Sequence, residues 1–403
     1  MRSSLESVRD EARTWYEQNW DPDRSVGEWY SLMAASGWGY PGWPAEWFGR
    51  GLDKDAVGVV RQQRKELGAL PPPSGIGPTL LAPMLFEHGN DEQRQRFLSG
   101  MAKGEIIVCQ MLSEPSAGSD LAGVRTRAER DGEEWRITGQ KVWTSNAAIV
   151  DYGMLLARTN VDVAKHRGLS FFLVRRDQPG IEVRPLREMT GAALFNEVFF
   201  EGAIVPDADV LGEIDHGWAV TRTFLAHEKN SLNPAAHEGG IFGRVDLDRP
   251  VGEIMESRRS TRSAMGRGAT RMLGRLWDTF DGTTDPVLRQ EMMRLRSGQE
   301  TLKATNLRVR AAKAQGGRPG REASISKLIV SDTTRAQREL GLRLQGPYGM
   351  LADDPFSDFV LGSPAISIAG GTDEIQKNHL GERILGLPAE PRTDTEIPFR
   401  DHP

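Results

Sequence analysis

The segment QMLSEPSAGSDLAGVRT, residues 110–126, lies where the chain changes from helical to strand-like periodicity. It leaves an apolar stretch and continues into a turn-rich loop whose small residues let the backbone approach a ligand closely. Ser113 and Ser119 supply hydroxyls, and the backbone amides of such a loop suit anionic or carbonyl oxygens. Taken alone, the segment also fits an ordinary strand-to-loop turn, so its meaning depends on the rest of the chain.

Around this segment the chain divides into helical, strand-like and helical parts. Residues 1–108 have mostly helical spacing of apolar residues, and Asn90 is placed to cap the helix of DEQRQRFLSGM. Residues 109–214 contain short strand-like segments and a hairpin signal at an Asp-Gly pair. Residues 215–403 return to long helical stretches, which is typical of a four-helix bundle. This order predicts a mainly α fold with a central β-barrel or β-sandwich domain rather than a doubly wound α/β fold.

The last of these domains contains a segment that does not match its helices. The helical stretches are residues 217–236, 285–315, 320–345 and 372–386. Residues 237–284 contain eight arginines, no lysine and many glycines and serines. We interpret them as an exposed, partly mobile insertion, as is usual for such loops. The alternative is an arginine-rich surface for the phosphates of a large ligand or for a partner subunit.

Composition excludes several classes of protein. The 403 residues include 51 basic and 56 acidic side chains, so no nucleic-acid partner is indicated. The single Cys109 cannot form an internal disulfide and excludes a cysteine-based zinc site, so we expect a cytoplasmic protein without a metal. The longest uncharged run, residues 67–86, has five prolines, which a membrane span would not tolerate. The first 20 residues lack the apolar core of a signal peptide and predict an amphipathic helix.

Five segments together resemble the acyl-CoA dehydrogenase family of flavoenzymes. They are residues 110–126, GQKVWTSN (139–146), FNEVFF (195–200), GEIDHGW (212–218) and GGTDEIQKNHLGERILGLP (370–388). The resemblance covers roughly residues 20–390 and includes the same helical, β, helical order. It implies FAD as the cofactor, an acyl-CoA substrate, an electron-transferring flavoprotein as the acceptor, and a homo- or hetero-oligomer, either a dimer or a tetramer.

The resemblance also implies roles for individual residues. Trp143 and Ser145 match residues that line the isoalloxazine ring, with the Ser145 hydroxyl near flavin N5. The positions matched to the flavin or the substrate thioester are Leu112, Ser113, Gly118 and Ser119. The other matched cofactor positions are Gln290, Gln345, Gly346, Gly349, Thr372 and Glu374, and the matched substrate positions are Ser119, Gly370 and Gly371. An Arg-x-x-Phe-Gly element that the family often carries upstream of Gln290 is missing, and residues 237–284 take its place.

The expected position of the catalytic base follows from one difference between this sequence and the family pattern. Many members of the family carry the catalytic glutamate at the position of Gly370, which has no side chain. Other members carry it on the first long helix of the C-terminal domain. Counting from Gly217 at the start of that helix places Glu228 at this position. Without the resemblance, Glu228 would be interpreted as a solvent-exposed glutamate on the helix surface. Asp373 is a weaker candidate for the base.

The resemblance therefore predicts α,β-dehydrogenation of an acyl-CoA thioester to the 2-enoyl-CoA. Glu228 would take the α proton while the β hydride passes to flavin N5. A glycine at position 370 would leave room for a bulky, branched, cyclic or steroid-derived acyl group, with a straight chain still open. Two alternatives remain: a non-catalytic subunit that completes a partner's FAD site, and a flavin oxidase or monooxygenase on the same scaffold.

Overall fold

The computed structural model describes residues 2–231, 243–261, 268–314, 322–351, 354–391, 394 and 396–402. The α-helices are α1 (Arg2–Asn19), α2 (Val26–Ser36), α3 (Lys54–Glu66), α4 (Ala82–His88), α5 (Asp91–Ala102), α6 (Gly217–Ser231), α7 (Val251–Thr261), α8 (Gly268–Thr279), α9 (Pro286–Ala314), α10 (Glu322–Gln345), α11 (Pro355–Gly362) and α12 (Asp373–Arg383). The strands are β1 (Val108–Met111), β2 (Arg127–Asp131), β3 (Glu134–Ser145), β4 (Tyr152–Arg158), β5 (Leu169–Arg175), β6 (Ile181–Leu186), β7 (Phe195–Pro206) and β8 (Val210–Leu211).

The chain forms two compact units. The first contains Met1–Leu186, Ala193–Ser260 and Thr393–Pro403, and the second contains Arg187–Ala192 and Thr261–Arg392. The predicted fold class, mainly helical with a central β domain, is confirmed. The predicted limits of three domains, at residues 108 and 214, stay a prediction.

The strands of the first unit form one sheet. Within the described residues its order is β6-β7-β3-β2-β4-β5-β8, and β1 pairs in parallel with β4. The predicted hairpin is confirmed, because β2 and β3 are antiparallel and Gly132 between them has a φ of 67°. Strands β4 and β5 are buried along nearly their whole length because both faces of the sheet are covered there. Leu156 and Phe171 face one apolar cluster, whereas Leu155 and Phe172 face another.

The helices that precede the sheet in the chain also belong to the first unit. The predicted N-terminal helix is confirmed as α1, whose Ala12 and Tyr16 are fully buried beside Trp29 of α2. The cap predicted for α5 is also confirmed, since the Asn90 side chain accepts from the backbone N–H of Gln93. The Gln93 side chain in turn accepts from the Asn90 N–H, so two otherwise unpaired donors are satisfied.

Helix α6 begins at Gly217, as predicted. A Cβ at this position would lie 2.6 Å from the backbone of Ser170 on β5, so only glycine allows the helix to start this close to the sheet. Val220 and Phe224 are each 1% exposed and join the apolar cluster formed by the sheet and helices α4 and α5. The described helix ends at Ser231, and residues 232–236 of the predicted stretch lie outside the described residues.

The predicted insertion over residues 237–284 contains two helices within its described part, and its assignment as an insertion stays a prediction. Residues 251–261 form α7 and residues 268–279 form α8. Val251 is fully buried in the cluster of α1 and α2, and Leu273 is 2% exposed in the core of the second unit. An interpretation based on composition missed these helices because their apolar residues are few among arginines and glycines. Residues 237–242 and 262–267 lie outside the described residues.

The second unit contains α8 to α12. Three predicted helical stretches are confirmed as α9, α10 and α12, although α12 ends earlier than expected, at Arg383. Residues 315, 320 and 321 of the predicted stretches lie outside the described residues. The core of this unit consists of Leu273, Met292, Leu295, Leu340 and Leu344. Among the helices described, none combines the length and the apolarity that crossing a bilayer would require.

Candidate functional site

The loop after β1, residues 112–126, is tied together at its two ends. The backbone N–H groups of Glu114 and Ala117 each donate to the carbonyl of the other residue, which closes a tight turn. The Glu114 carboxylate then accepts from the backbone amides of Arg125 at 2.6 Å and Thr126 at 2.9 Å. One side chain at the start of the loop therefore fixes the end of the loop, because two charge-assisted hydrogen bonds converge on it.

A buried lysine completes this anchor. Lys141 of β3 is fully buried, and its Nζ donates to Glu114 Oε1 at 2.8 Å and to the Leu112 carbonyl at 2.9 Å. Burial lowers the pKa of Lys141 to about 8, against the opposing effect of Glu114. Burial would raise the pKa of Glu114, but Lys141 and the hydrogen bonds hold it below its ordinary value. Sequence reasoning missed both residues, although each lies inside a recognised motif.

Strand β3 is distorted where it passes this loop. Its register with β7 shifts between Lys141 and Thr144, and Trp143 inside the shift has a φ of 60°. Such a left-handed backbone is uncommon for a residue with a side chain, and local strain of this kind clusters at functional sites. The bulge leaves Trp143 53% exposed, with its ring edge-on to Phe195 at 5.9 Å. The Val142 N–H donates to the Ser113 carbonyl and joins the bulge to the loop.

A cavity in the first unit brings two predicted site residues together. It has a volume of about 240 Å³, and Ser145 of β3 and Glu228 of α6 both line it. Gln110 and Asn146 add further polar groups. Most of the remaining lining residues are apolar or glycine, among them Pro73, Ile76, Leu80, Met101, Val108 and Val150. A mostly apolar pocket with a few convergent polar groups is the usual form of a small-molecule site.

The other predicted residues of the first unit lie on the loop and the bulge. Leu112 is buried and Ser113 is half-buried, whereas Gly118 and Ser119 are exposed. A Cβ added at Gly118 would meet no atom within 4 Å, so open space lies above the backbone there. These residues do not line the cavity of Ser145 and Glu228. The hydrogen bond from the Val142 N–H to the Ser113 carbonyl nevertheless joins their loop to β3, the strand that carries Ser145.

In the second unit, α10 ends in the predicted cofactor loop. Gln345 is 3% exposed, and its Nε2 donates to Asp354 at 3.3 Å. Its Oε1 is buried and has no hydrogen-bond partner among the described residues. Gly346 follows with a φ of 53°, and Gly349 lies in the next turn. Gln290 lies exposed on α9.

The glycine pair before α12 forms a left-handed turn. Gly370 and Gly371 have φ values of 66° and 85°, which glycine adopts at little cost. Thr372 caps α12, since its hydroxyl accepts from the Ile375 N–H, and Glu374 lies exposed in the first turn. Both residues thus lie at a helix N-terminus, where backbone N–H groups can bind an anion.

Asp373 is an anchor for this turn rather than a good proton acceptor. It is 4% exposed and forms ion pairs with Arg335 at 2.7 Å and Lys327 at 3.6 Å. Burial raises the pKa of Asp373, but Arg335, Ser331 and Lys327 outweigh this effect and hold the pKa below its ordinary value. A carboxylate stabilised in its ionised form is a weak base, which disfavours Asp373 as the proton acceptor.

Comparisons with known proteins cover nearly the whole chain. Family models of the acyl-CoA dehydrogenase N-terminal, middle and C-terminal domains match residues 3–105, 109–203 and 253–385. Acyl-CoA dehydrogenase FadE34 of Mycobacterium tuberculosis is 35% identical over 88% of this chain, which spans only 45% of FadE34. Acyl-CoA dehydrogenase IpdE1 of the same organism is 35% identical over 90% of this chain and 88% of IpdE1.

A solved structure agrees with these matches. A chain of the ChsE4–ChsE5 complex from Mycobacterium tuberculosis is 27% identical, with a TM-score of 0.63 over 96% of this chain and 98% of that chain. The three family models follow one another in order, and IpdE1 is matched over most of its own length. The chain therefore belongs to the acyl-CoA dehydrogenase family of oxidoreductases.

Proposed function

We propose that the chain catalyses FAD-dependent α,β-dehydrogenation of an acyl-CoA thioester to the 2-enoyl-CoA. The observation that carries this proposal is the cavity of the first unit, where Glu228 and Ser145 line one mostly apolar space. Removing a proton from carbon requires a base held within reach of that carbon and away from bulk water. Glu228 is the base for the α proton in this proposal. The Ser145 hydroxyl is the proposed contact near flavin N5, the hydride acceptor.

The residues present fit FAD. In the first unit, the exposed Trp143 ring and the open backbone at Gly118 suit a flat ring and a close approach. In the second unit, the buried Gln345 Oε1 can accept a hydrogen bond that no described residue supplies. The proposed flavin contacts of the first unit are Leu112, Ser113, Gly118, Ser119, Trp143 and Ser145. The proposed cofactor positions of the second unit are Gln290, Gln345, Gly346, Gly349, Thr372 and Glu374, and by the resemblance the loop of Gln345, Gly346 and Gly349 would reach the FAD of a neighbouring subunit. When bound, FAD would supply the acceptor for the hydride of the β carbon.

The test of the base is Glu228→Gln, which keeps the size of the side chain but cannot take the proton. We expect flavin to bind as in the wild type and its anaerobic bleaching by acyl-CoA to slow by about 10²- to 10⁴-fold, the usual contribution of a general base. Glu213→Gln is the control, since Glu213 has an 84% exposed side chain just before α6. Bleaching of Glu228→Gln at the wild-type rate would sink the assignment.

We further propose that the acyl group is bulky, branched or steroid-derived. This rests on Gly370 and Gly371, proposed as substrate positions, because Gly370 has no side chain where many relatives carry the base. A panel of acyl-CoA thioesters, from straight-chain to branched to steroid-derived, tests it by the rate of anaerobic bleaching. We expect the fastest bleaching with a ring-bearing or branched thioester. A straight-chain thioester that reacts fastest would contradict the proposal.

The proposed electron acceptor is an electron-transferring flavoprotein. A flavin oxidase or monooxygenase on this scaffold would instead pass the electrons to oxygen. The two differ in hydrogen peroxide released in air during turnover with acyl-CoA. We expect slow release compared with turnover in the presence of the flavoprotein; peroxide formed at the full turnover rate would indicate an oxidase.

A second candidate function is that of one subunit in a heteromeric acyl-CoA dehydrogenase. A similar chain occurs in the ChsE4–ChsE5 complex, and the Arg-x-x-Phe-Gly element is missing from this chain. The visible absorption spectrum of the chain purified alone discriminates the two. A flavin band that survives desalting supports a homo-oligomer with complete sites, whereas a folded, colourless protein supports a need for a second chain.

A further inference from the structure

The end of the loop after β1 is held by a second buried cation. Arg158 of β4 is 2% exposed, and its guanidinium donates to the carbonyls of Ala122 at 2.5 Å, Val124 at 3.3 Å and Lys165 at 2.5 Å. Its Nε is buried and has no hydrogen-bond partner within the described ranges. Burial lowers the pKa of Arg158 to about 10, so keeping this charge dehydrated requires compensating contacts.

A third cation reaches the middle of the same loop. Lys165 has a side chain only 7% exposed, and its Nζ donates to Asp120 of the loop at 2.8 Å. The same Nζ donates to Asp394 at 2.5 Å. Burial would lower the pKa of Lys165, but the hydrogen bonds that it donates to both carboxylates outweigh this effect and raise the pKa. Lys165 is therefore a charged bridge between the loop and residue 394.

Residues 394 and 396–402, which we name the C-terminal clamp, cover both cations. Phe399 is 7% exposed, and the Arg158 Cζ lies 3.7 Å from the centre of its ring. The backbone N–H groups of Phe399 and Arg400 donate to the carbonyls of Val163 and Val161, so the clamp is fixed next to Lys165. The family model of the C-terminal domain ends at residue 385, so the clamp lies beyond the matched region.

We propose that the C-terminal clamp positions the loop after β1 for ligand binding. Phe399 shields the Arg158 guanidinium from water, which strengthens the hydrogen bonds to Ala122 and Val124 in surroundings of low polarity. Asp394 neutralises Lys165 while Lys165 holds Asp120. Phe399 and Asp394 are thus positioning residues that act through Arg158 and Lys165. The proposal rests on the proposed function insofar as Ser113, Gly118 and Ser119 of the loop contact FAD or the thioester.

The test compares two replacements of Phe399 in the full chain. Phe399→Leu keeps an apolar side chain but removes the aromatic face, whereas Phe399→Tyr keeps the face. With Phe399→Leu we expect amides of residues 112–126 to exchange with deuterium about tenfold faster, and KM for acyl-CoA to rise about tenfold with little change in kcat. Phe399→Tyr should restore both values. Arg400→Gln is the control, because the Arg400–Asp162 pair is about 60% exposed.

The exchange measurement separates this inference from the proposed function. Unchanged exchange of residues 112–126 in Phe399→Leu overturns the inference, whether or not the wild type oxidises acyl-CoA. Faster exchange throughout the first unit also overturns it, because the clamp would then be a general stabiliser. Faster exchange confined to the loop supports positioning, and a wild type that binds no acyl-CoA would then count against the proposed function alone.

Discussion

The anchor of the loop after β1 depends on the negative charge of the Glu114 carboxylate, which pairs with the buried Lys141. In Glu114→Gln, Lys141 stays buried without a carboxylate, and breaking a buried pair from one side costs about 3–5 kcal/mol. We expect the free energy of unfolding in urea to fall by about this amount. Asp131→Asn is the control, since both side chains of its pair with Arg136 are more than half exposed, and it should cause no measurable change. Equal stability of Glu114→Gln and the wild type would refute the anchor.

The same lysine predicts a dependence of stability on pH. The pKa of Lys141 is about 8 in the folded chain and about 10.4 for an ordinary lysine, so between these values the unfolded chain binds more protons. Its contribution to the free energy of unfolding therefore rises with pH through this window. We expect Lys141→Met to remove this rise when urea unfolding is measured between about pH 7 and 10. An unaltered pH profile would show that Lys141 is not the titrating group.

At the scale of elements, two helical glycines have opposite surroundings. A Cβ at Gly341 of α10 would collide with the Phe356 ring of α11, whereas a Cβ at Gly298 of α9 would meet nothing within 4 Å. Gly341→Ala should therefore lower stability by about 1–3 kcal/mol through overpacking. Gly298→Ala should raise it by about 0.5–1 kcal/mol because alanine favours the helix. Thermal unfolding of both variants checks this, and two shifts of the same sign would contradict it.

The structural elements differ in how well they could be predicted from the sequence. The start of α6 at Gly217 and the cap at Asn90 were predictable because each depends on a local signal. The bulge at Trp143 was not, since strand alternation carries no information on a register shift with β7. Helices α7 and α8 were missed because their buried residues, such as Val251 and Leu273, are few among arginines and glycines.

At the scale of the molecule, the site is less predictable than the fold. Periodicity and motifs were enough for the fold class, and the resemblance placed Ser145 and Glu228 on β3 and α6. Only packing shows that these two residues line one cavity. The buried cations Lys141 and Arg158 gave no signal, because charged residues are mostly solvated and sequence patterns treat them as surface.

Cys109 reports on the integrity of the first unit as a whole. It is the single cysteine of the chain, lies fully buried on β1, and burial raises its pKa to about 12. Because a thiol reacts as its thiolate, we expect no reaction with a disulfide reagent in the native protein and one equivalent per chain in guanidinium chloride. One equivalent reacting under native conditions would mean that the sheet core opens readily.

The return of the C-terminal clamp to the first unit has a consequence for biosynthesis. During translation the ribosome releases all of residues 261–391 before Phe399 can cover Arg158. The contacts of Phe399 with Arg158 and of Asp394 with Lys165 can therefore form only after the whole second unit has been synthesised. A nascent chain stalled before residue 394 would lack both of these contacts with the residues that hold the loop after β1.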